Sequence, residues 1–465
     1  MNFTIQNVLI PIEDDYATQD VQIKDGKITA ISSGLDVIGE GIDGTNKLLL
    51  PGFVNAHTHS PEMWQRGIVS MYPLELWLAE VYDFAPLDIE KAYLSALGTA
   101  VETLLSGGTS LVDHLILIPG KELETVKVIV EAYQKVGIRA FIAPLIQDES
   151  ITRGIPDGGL EVNHQPYFRS RKATLEIMEE VINQFHNPEA GIYVALAPTG
   201  IQLCSDALFK GCIELSDKYN LCRHSHLLET KAQEKLAQEK YGCTAVEHLQ
   251  RIGYLNHRTS LAHCVHLTDK DINILAETQS TVVHNPLSNL RLGSGIAPIL
   301  KYRQAGVNVS FGCDGASSND SQDLLEVIKI GSILHNGTDL DYQHWITPRE
   351  SIEMASNGGA KGVNLADEIG SLTVGKKADL VMYDLTNLSL LPRTDPIGLL
   401  VLGKPTNVVD SVWVNGKKIV ADGKVKNIDV DKLRQDLFQH SQWQTNRKSK
   451  TVKEIEAHYR RVMEL

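Results

Sequence analysis

The chain has 465 residues, room for one large barrel with a satellite domain or for two or three ordinary domains. With 43% hydrophobic and 22% charged residues it is expected to fold over most of its length. A formal charge of -14 argues against nucleic acid or an anionic membrane surface as partner and leaves a neutral or cationic small molecule as the natural ligand. The six cysteines contain no CxxC pair and fit reduced thiols. No basic start leads into an apolar core and no apolar run reaches about 18 residues, so a soluble, cytoplasmic protein is expected.

Residues 1–50 alternate apolar and polar positions in short pieces, with Asp25-Gly26 as a hairpin turn. The same grammar returns after residue 370, with a tight turn at Asn415-Gly416. The two ends are predicted to form one small β-sandwich, residues 1–50 with 366–428. Between them strand, loop and helix repeat. Parallel strands are predicted at 48–57, 108–116, 137–146, 191–199, 221–227, 258–266, 280–286 and 307–314, mostly continuous apolar runs suited to burial on both faces. Helices are predicted at 88–106, 121–136, 171–186, 205–219, 230–240, 268–277 and 321–334. This is the pattern of an α/β fold, a (β/α)8 TIM barrel over 51–365. Residues 147–171 are rich in loop chemistry and form a candidate lid. The tail, 429–465, is polar and helix-prone and carries Arg447, Lys448, Lys450 and Lys453, which predicts a solvated surface helix.

Barrel enzymes work at the C-terminal ends of their strands, and five of these ends carry metal-binding or proton-transferring groups. They are His57 and His59, then His224 and His226 with Glu229 behind, His263 and His266, His284, and Asp314. Alternation puts His57 and His59 on one face of a strand, with their separation set by the backbone. Two imidazoles so held suit a divalent metal. His224 shares the face of His226 one layer deeper, a position more often packed than catalytic. His114 ends the second strand and is a candidate substrate contact.

The motifs Pro51-Gly52-Phe53-Val54-Asn55-Ala56-His57-Thr58-His59, His226-Leu227-Leu228-Glu229-Thr230, Ala262-His263-Cys264-Val265-His266, His284-Asn285-Pro286-Leu287-Ser288-Asn289 and Gly312-Cys313-Asp314-Gly315 resemble the amidohydrolase superfamily. The likeness is to the branch of cytosine, guanine and S-adenosylhomocysteine deaminases and triazine hydrolases. It implies that His57, His59, His226 and Asp314 bind one divalent ion, zinc or iron, leaving room for a water acidified toward hydroxide. Two-metal members bridge their ions with a strand-four lysine, which residues 191–198 lack. The resemblance further implies catalytic roles for Asp314, which accepts the water's proton, Glu229, which carries it to a ring nitrogen or the leaving amine, and His263, which orients the nucleophile. The expected reaction is release of ammonia from a purine, pyrimidine, pterin or triazine type of ring. Hydrolysis of a cyclic amide or of another ring substituent, and a non-catalytic scaffold, are the alternatives.

Relatives acting on S-adenosylhomocysteine resemble this chain less at two points, an arginine at the end of strand three and a histidine after the strand-four proline. Here Pro144-Leu145-Ile146-Gln147 and Thr199-Gly200-Ile201-Gln202 stand instead. A substrate with an amino-acid tail is therefore not expected. Glu62, Trp64, Gln65, His114, Gln147, Gln202 and His284 are the candidate contacts to a small flat ring, with Trp64 as the stacking face. The family resemblance also implies a homo-oligomer, a dimer or tetramer.

Overall fold

The boundary between the terminal sheet and the barrel falls at Gly52, inside a run that the sequence reads as one strand. In the computed structural model, which describes residues 2–84, 87–164, 166–443 and 449–465, Lys47–Pro51 pairs antiparallel with Leu380–Asp384. After Gly52, Phe53–Thr58 pairs in parallel with Gly108–Leu115 and opens the barrel. A Cβ at Gly52 would sit 2.1 Å from Thr109 Cγ2, so only glycine lets the chain cross so close to its neighbour.

Both chain ends join one nine-stranded sheet, and its core holds Phe3, Ile5, Val21, Leu49, Leu380 and Trp413. The rings of Phe3 and Trp413 stack at 5.7 Å, tying the first strand to Val409–Val414. Asp25 and Gly26 have φ of 52° and 79°, and Asn415 and Gly416 have φ of 50° and 72°, the left-handed pairs that tight hairpin turns require. The two turns meet, since a Cβ on Gly416 would lie 2.7 Å from the Gly26 Cα.

The barrel strands run Phe53–Thr58, Gly108–Leu115, Arg139–Ile146, Ile192–Val194 with Ala197–Pro198, Arg223–Leu227, Thr259–His263, Thr281–His284 and Val309–Phe311. All neighbouring pairs are parallel. Leu196 bridges to Arg223, joining the fourth strand to the fifth, and Asp314 N donates to His57 O at 2.9 Å where the last strand meets the first. A buried pair, Arg139 and Asp379, fastens the terminal sheet to the barrel: Arg139 Nη2 donates to Asp379 Oδ1 at 2.8 Å and Nε to Oδ2 at 3.1 Å.

Several helices were not anticipated, among them Ala245–Arg251 and Pro396–Gly403, and one of them bears on the site. Leu74–Phe84 follows the first strand and lies over the barrel mouth. The C-terminal helix Lys450–Val462 buries Val452 and Tyr459 with Leu76, Ala79 and Ile155. The tail expected to be solvated is thus partly docked, with Arg447 and Lys448 outside the described residues. The candidate lid is fastened as well. His458 Nε2 donates to Pro156 O at 2.9 Å, and Asp157 N and Gly158 N donate to the Glu239 carboxylate at 3.0 and 3.1 Å. Among the described residues no helix is long and apolar enough to cross a membrane, and all six cysteines are unpaired.

Candidate active site

Four side chains from three strand ends converge at the barrel mouth. Asp314 Oδ1 lies 3.2 Å from His57 Nε2 and 3.4 Å from His59 Nε2, and His226 Nε2 is 3.3 Å from His59 Nε2. The far nitrogen of each imidazole is already committed: His59 Nδ1 donates to His114 O at 2.6 Å and His226 Nδ1 to Thr199 O at 2.7 Å, while His57 Nδ1 lies 2.8 Å from His224 Nε2. These bonds place lone pairs on the Nε2 atoms of His59 and His226, which then face each other. Two acceptors at that distance repel unless a positive centre lies between them. His57 Nε2 is buried and makes no hydrogen bond. An orphaned buried nitrogen, an acceptor facing an acceptor and a carboxylate beside both are what a divalent ion would satisfy, and two overlapping groups that share His57, one with His59, His114 and His226 and the other with His263 and Asp314, bring their ligand atoms close enough to hold one.

Electrostatics agree with that fit. Burial holds the His57 and His226 imidazoles well below the ordinary histidine range, keeping them neutral as ligands must be. His59 differs: burial works against its charge, but the Glu62 and Asp314 carboxylates outweigh it and hold this ring above that range, a demand for positive charge beside Nε2 that a bound cation would meet in place of the proton. Asp314 stays well below the usual carboxylate range despite burial, because His57, His263 and His59 surround it. Its φ is 64° and that of His263 is 74°, backbone conformations that cost free energy outside glycine and persist where the surroundings impose them.

Glu229 and His263 stand beside this cluster. His263 Nε2 is 3.5 Å from Glu229 Oε2 and 3.9 Å from Asp314 Oδ2, and its Nδ1 donates to Asn289 Oδ1 at 2.8 Å. Burial raises the Glu229 carboxyl, which suits a group that must hold and release a proton. Glu229 Oε1 accepts from Ser294 Oγ at 3.1 Å, and Ser294 O accepts from His266 Nε2 at 2.8 Å. His266 is thus linked to Glu229 through Ser294.

The pocket above has a cavity volume of about 120 Å³, lined by Glu62, Gln65, Gln202, Glu229, His263 and Asp314 on its polar side. Leu74, Trp77, Leu78 and Val81 of the unanticipated helix supply the apolar wall. Trp77 Nε1 donates to Ser317 O at 3.2 Å, and Ser317 in turn donates its hydroxyl to Glu62. Burial pushes Glu62 up to about 7.

Four predicted contacts lie elsewhere. Trp64 donates Nε1 to Lys91 O at 2.9 Å and lines an outer groove with Met71 and Phe438. His284 Nε2 sits 3.2 Å from His335 Nε2, off the pocket wall. His114 lies under the ligand cluster, its ring centroid 4.7 Å from that of His226 and its Nε2 donating to Ala197 O. Gln147 lines an adjoining cavity with Tyr167 and Phe168. Trp77, rather than Trp64, lines the pocket. Its signal was present in the sequence as Leu74, Trp77, Leu78 and Val81 at helical spacing behind Pro73.

The model of the amidohydrolase family matches residues 48–419. A 5-methylthioadenosine/S-adenosylhomocysteine deaminase of Caldanaerobacter subterraneus subsp. tengcongensis is 31% identical over 95% of this chain and 98% of its own. A 5'-deoxyadenosine deaminase of Methanocaldococcus jannaschii is 32% identical over 89% of this chain and 94% of its own. Among solved structures, an adenosine deaminase from Xanthomonas campestris with bound zinc superposes with a TM-score of 0.83 at 26% identity, covering 94% of this chain and 97% of that one. An atrazine chlorohydrolase from Arthrobacter aurescens TC1 complexed with zinc shares the fold, with a TM-score of 0.85 at 24% identity over 94% and 99%. With metal-competent side chains at the strand ends, a capped pocket and this kinship together, the chain belongs to the amidohydrolase family and is a metal-dependent hydrolase that removes an amino group from a nitrogen heterocycle.

Proposed function

We propose that this enzyme deaminates an aminopurine nucleoside with an uncharged substituent, and that His57, His59, His226 and Asp314 hold one zinc ion for the purpose. The observation that carries the reading is the convergence of these four side chains beside Glu229 and His263, under an apolar helix. Relatives named for 5'-deoxyadenosine and 5-methylthioadenosine support the ring and the substituent. The pocket lining supports the exclusion of an anionic tail, since among the described residues it contains carboxylates, amides and apolar groups but no lysine or arginine.

When bound, the ion supplies Lewis acidity and lowers the pKa of a water. Asp314 takes a proton from the attacking water. Glu229 gives its own proton to the ring nitrogen next to the reacting carbon, the proton that Asp314 took from the water passes through Glu229 to the amino group, which leaves as ammonia, and the proton of the new hydroxyl returns to Glu229 as the ring carbonyl forms. His263, locked by Asn289, orients the nucleophile and stabilises charge developing on oxygen. Glu62, Gln65 and Gln202 hold the ring edge, and Trp77 covers its face. Residues 51–365 act as the catalytic unit, 1–50 and 366–428 as the sheet that braces it, and 429–465 as the tail. Unpaired thiols and the acidic charge support a cytoplasmic location, and a homo-oligomer is part of the same proposal.

The test is ammonia release from a panel of aminopurines, their 5'-deoxy and 5'-methylthio nucleosides, aminopyrimidines, pterins and aminotriazines, with metal quantified on the same sample. Turnover of uncharged adenosine derivatives at about one zinc per chain is expected. Silence across the panel from metal-loaded protein would overturn the deaminase in favour of cyclic-amide hydrolysis.

A further inference from the structure

The three ligand histidines are not held alike. His59 and His226 donate their Nδ1 protons to backbone carbonyls, as metal-binding imidazoles commonly do, but His57 is met by another imidazole, that of His224. A carbonyl can only accept and so settles the tautomer of its partner. An imidazole settles nothing until its own tautomer is settled, so the question passes one residue deeper into the barrel.

There the answer is in the geometry. His224 Nδ1 lies 2.7 Å from Ser260 Oγ, and Ser260 Oγ lies 3.5 Å from Arg223 O. The Arg223 carbonyl can only accept, and with the Ser260 hydroxyl donating to it the serine oxygen is left to accept from His224 Nδ1–H, the one direction of this chain that frees His57 Nε2 for a metal. His224 then has a lone pair on Nε2, which accepts from His57 Nδ1–H. His57 is left with a lone pair on Nε2, the buried atom without a hydrogen bond at the ligand cluster. The opposite direction of this chain would put a proton on His57 Nε2, where the metal must sit. His57, His224 and Ser260 are at most 5% exposed, so no solvent water competes for these positions. Tyr254 OH donates to His224 O at 3.1 Å and Thr259–His263 pairs with Arg223–Leu227, which keeps His224 and Ser260 in register.

We propose that His224, backed by Ser260, is a positioning residue for the metal: it fixes His57 in the Nδ1–H tautomer through a directed hydrogen-bond relay, Arg223 O to Ser260 to His224 to His57. The inference rests on the reading of His57 as a ligand. In a His224→Ala variant His57 Nδ1 loses its acceptor, and the ring loses both its orientation and its tautomeric bias. His224→Gln keeps an amide oxygen at the acceptor position and is the conservative replacement.

The experiment is chelator competition for zinc on the full chain, run for the wild type, His57→Ala, His224→Ala, His224→Gln and Ser260→Ala, with circular dichroism to confirm folding. Removal of such a partner weakens metal binding by about 10–100-fold. That loss is expected for His224→Ala, a smaller loss for Ser260→Ala, partial recovery for His224→Gln, and near-complete loss for His57→Ala. Loss in His57→Ala with wild-type affinity in folded His224→Ala would overturn the relay and leave the ligand assignment standing. Wild-type affinity in both would overturn the ligand assignment and the relay with it. If His224→Ala does not fold, Ser260→Ala and His224→Gln decide, and unchanged affinity in both would refute the proposal.

Discussion

Replacing Glu229 with glutamine separates proton transfer from metal binding. The amide is nearly isosteric, its oxygen can still accept from Ser294 Oγ, and the backbone bond from Glu229 N to Gln233 Oε1 is untouched. Only the proton-carrying capacity disappears. A positioned acid–base group contributes about 10²–10⁴-fold, or about 3–5 kcal/mol of barrier. Glu229 is 2% exposed and its Oε2 faces His263, so bulk water has poor access to substitute, and the upper part of that range is expected. The assay is steady-state ammonia release beside metal analysis of the same preparation. A kcat reduced by about a thousandfold or more, at unchanged metal content, is the expected result. Loss of the metal would show that Glu229 is a ligand, and a kcat within about tenfold of wild type would remove it from the chemistry.

Other perturbations test other parts of the molecule. Arg139→Met strands the Asp379 carboxylate at the joint between sheet and barrel, and a loss of about 3–5 kcal/mol is expected in denaturant unfolding; a loss under about 1 kcal/mol would mean that the pair does not hold the joint. Trp77→Ala removes the aromatic wall, and a rise in KM of about tenfold is expected for a wall contact of about 1–2 kcal/mol, with the metal retained; unchanged KM would put the ring elsewhere. Burial pushes the Glu75 carboxyl from 4.5 to about 7 despite its bond from Thr230. A carboxyl raised on folding favours the folded state most below 4.5, and that advantage is lost as pH rises through about 7. Glu75→Gln should therefore raise Tm at pH 8 by far more than at pH 5, up to roughly 3 kcal/mol in stability, and an equal gain at both would refute the linkage.

The candidate ligands were legible because their evidence is local. His57 and His59 share a strand face by alternation alone, and the turns Asp25-Gly26 and Asn415-Gly416 carry their own backbone requirement in their residue types. Glu229, three residues after His226, and Asp314, at the end of an apolar run, announced themselves in the same way. What escaped were facts that depend on which distant groups meet. The predicted strand 48–57 is two strands parted at Pro51-Gly52, where the domain boundary was expected, but that Leu49 and Val54, equally buried, belong to different cores depends on what each side packs against. Trp64 and Trp77 are both tryptophans shortly after the same strand, and only packing turned one onto Lys91 and the other over the pocket.

His224 marks the division most clearly. By itself the sequence determined that His224 shares a face with His226 one layer down, because strand periodicity depends on nothing outside the strand. That its Nε2 lies 2.8 Å from His57, on a strand 167 residues earlier, was decided by barrel closure. Closure brings together side chains that no local rule relates, and the direction of the hydrogen bonds among them follows from that meeting alone.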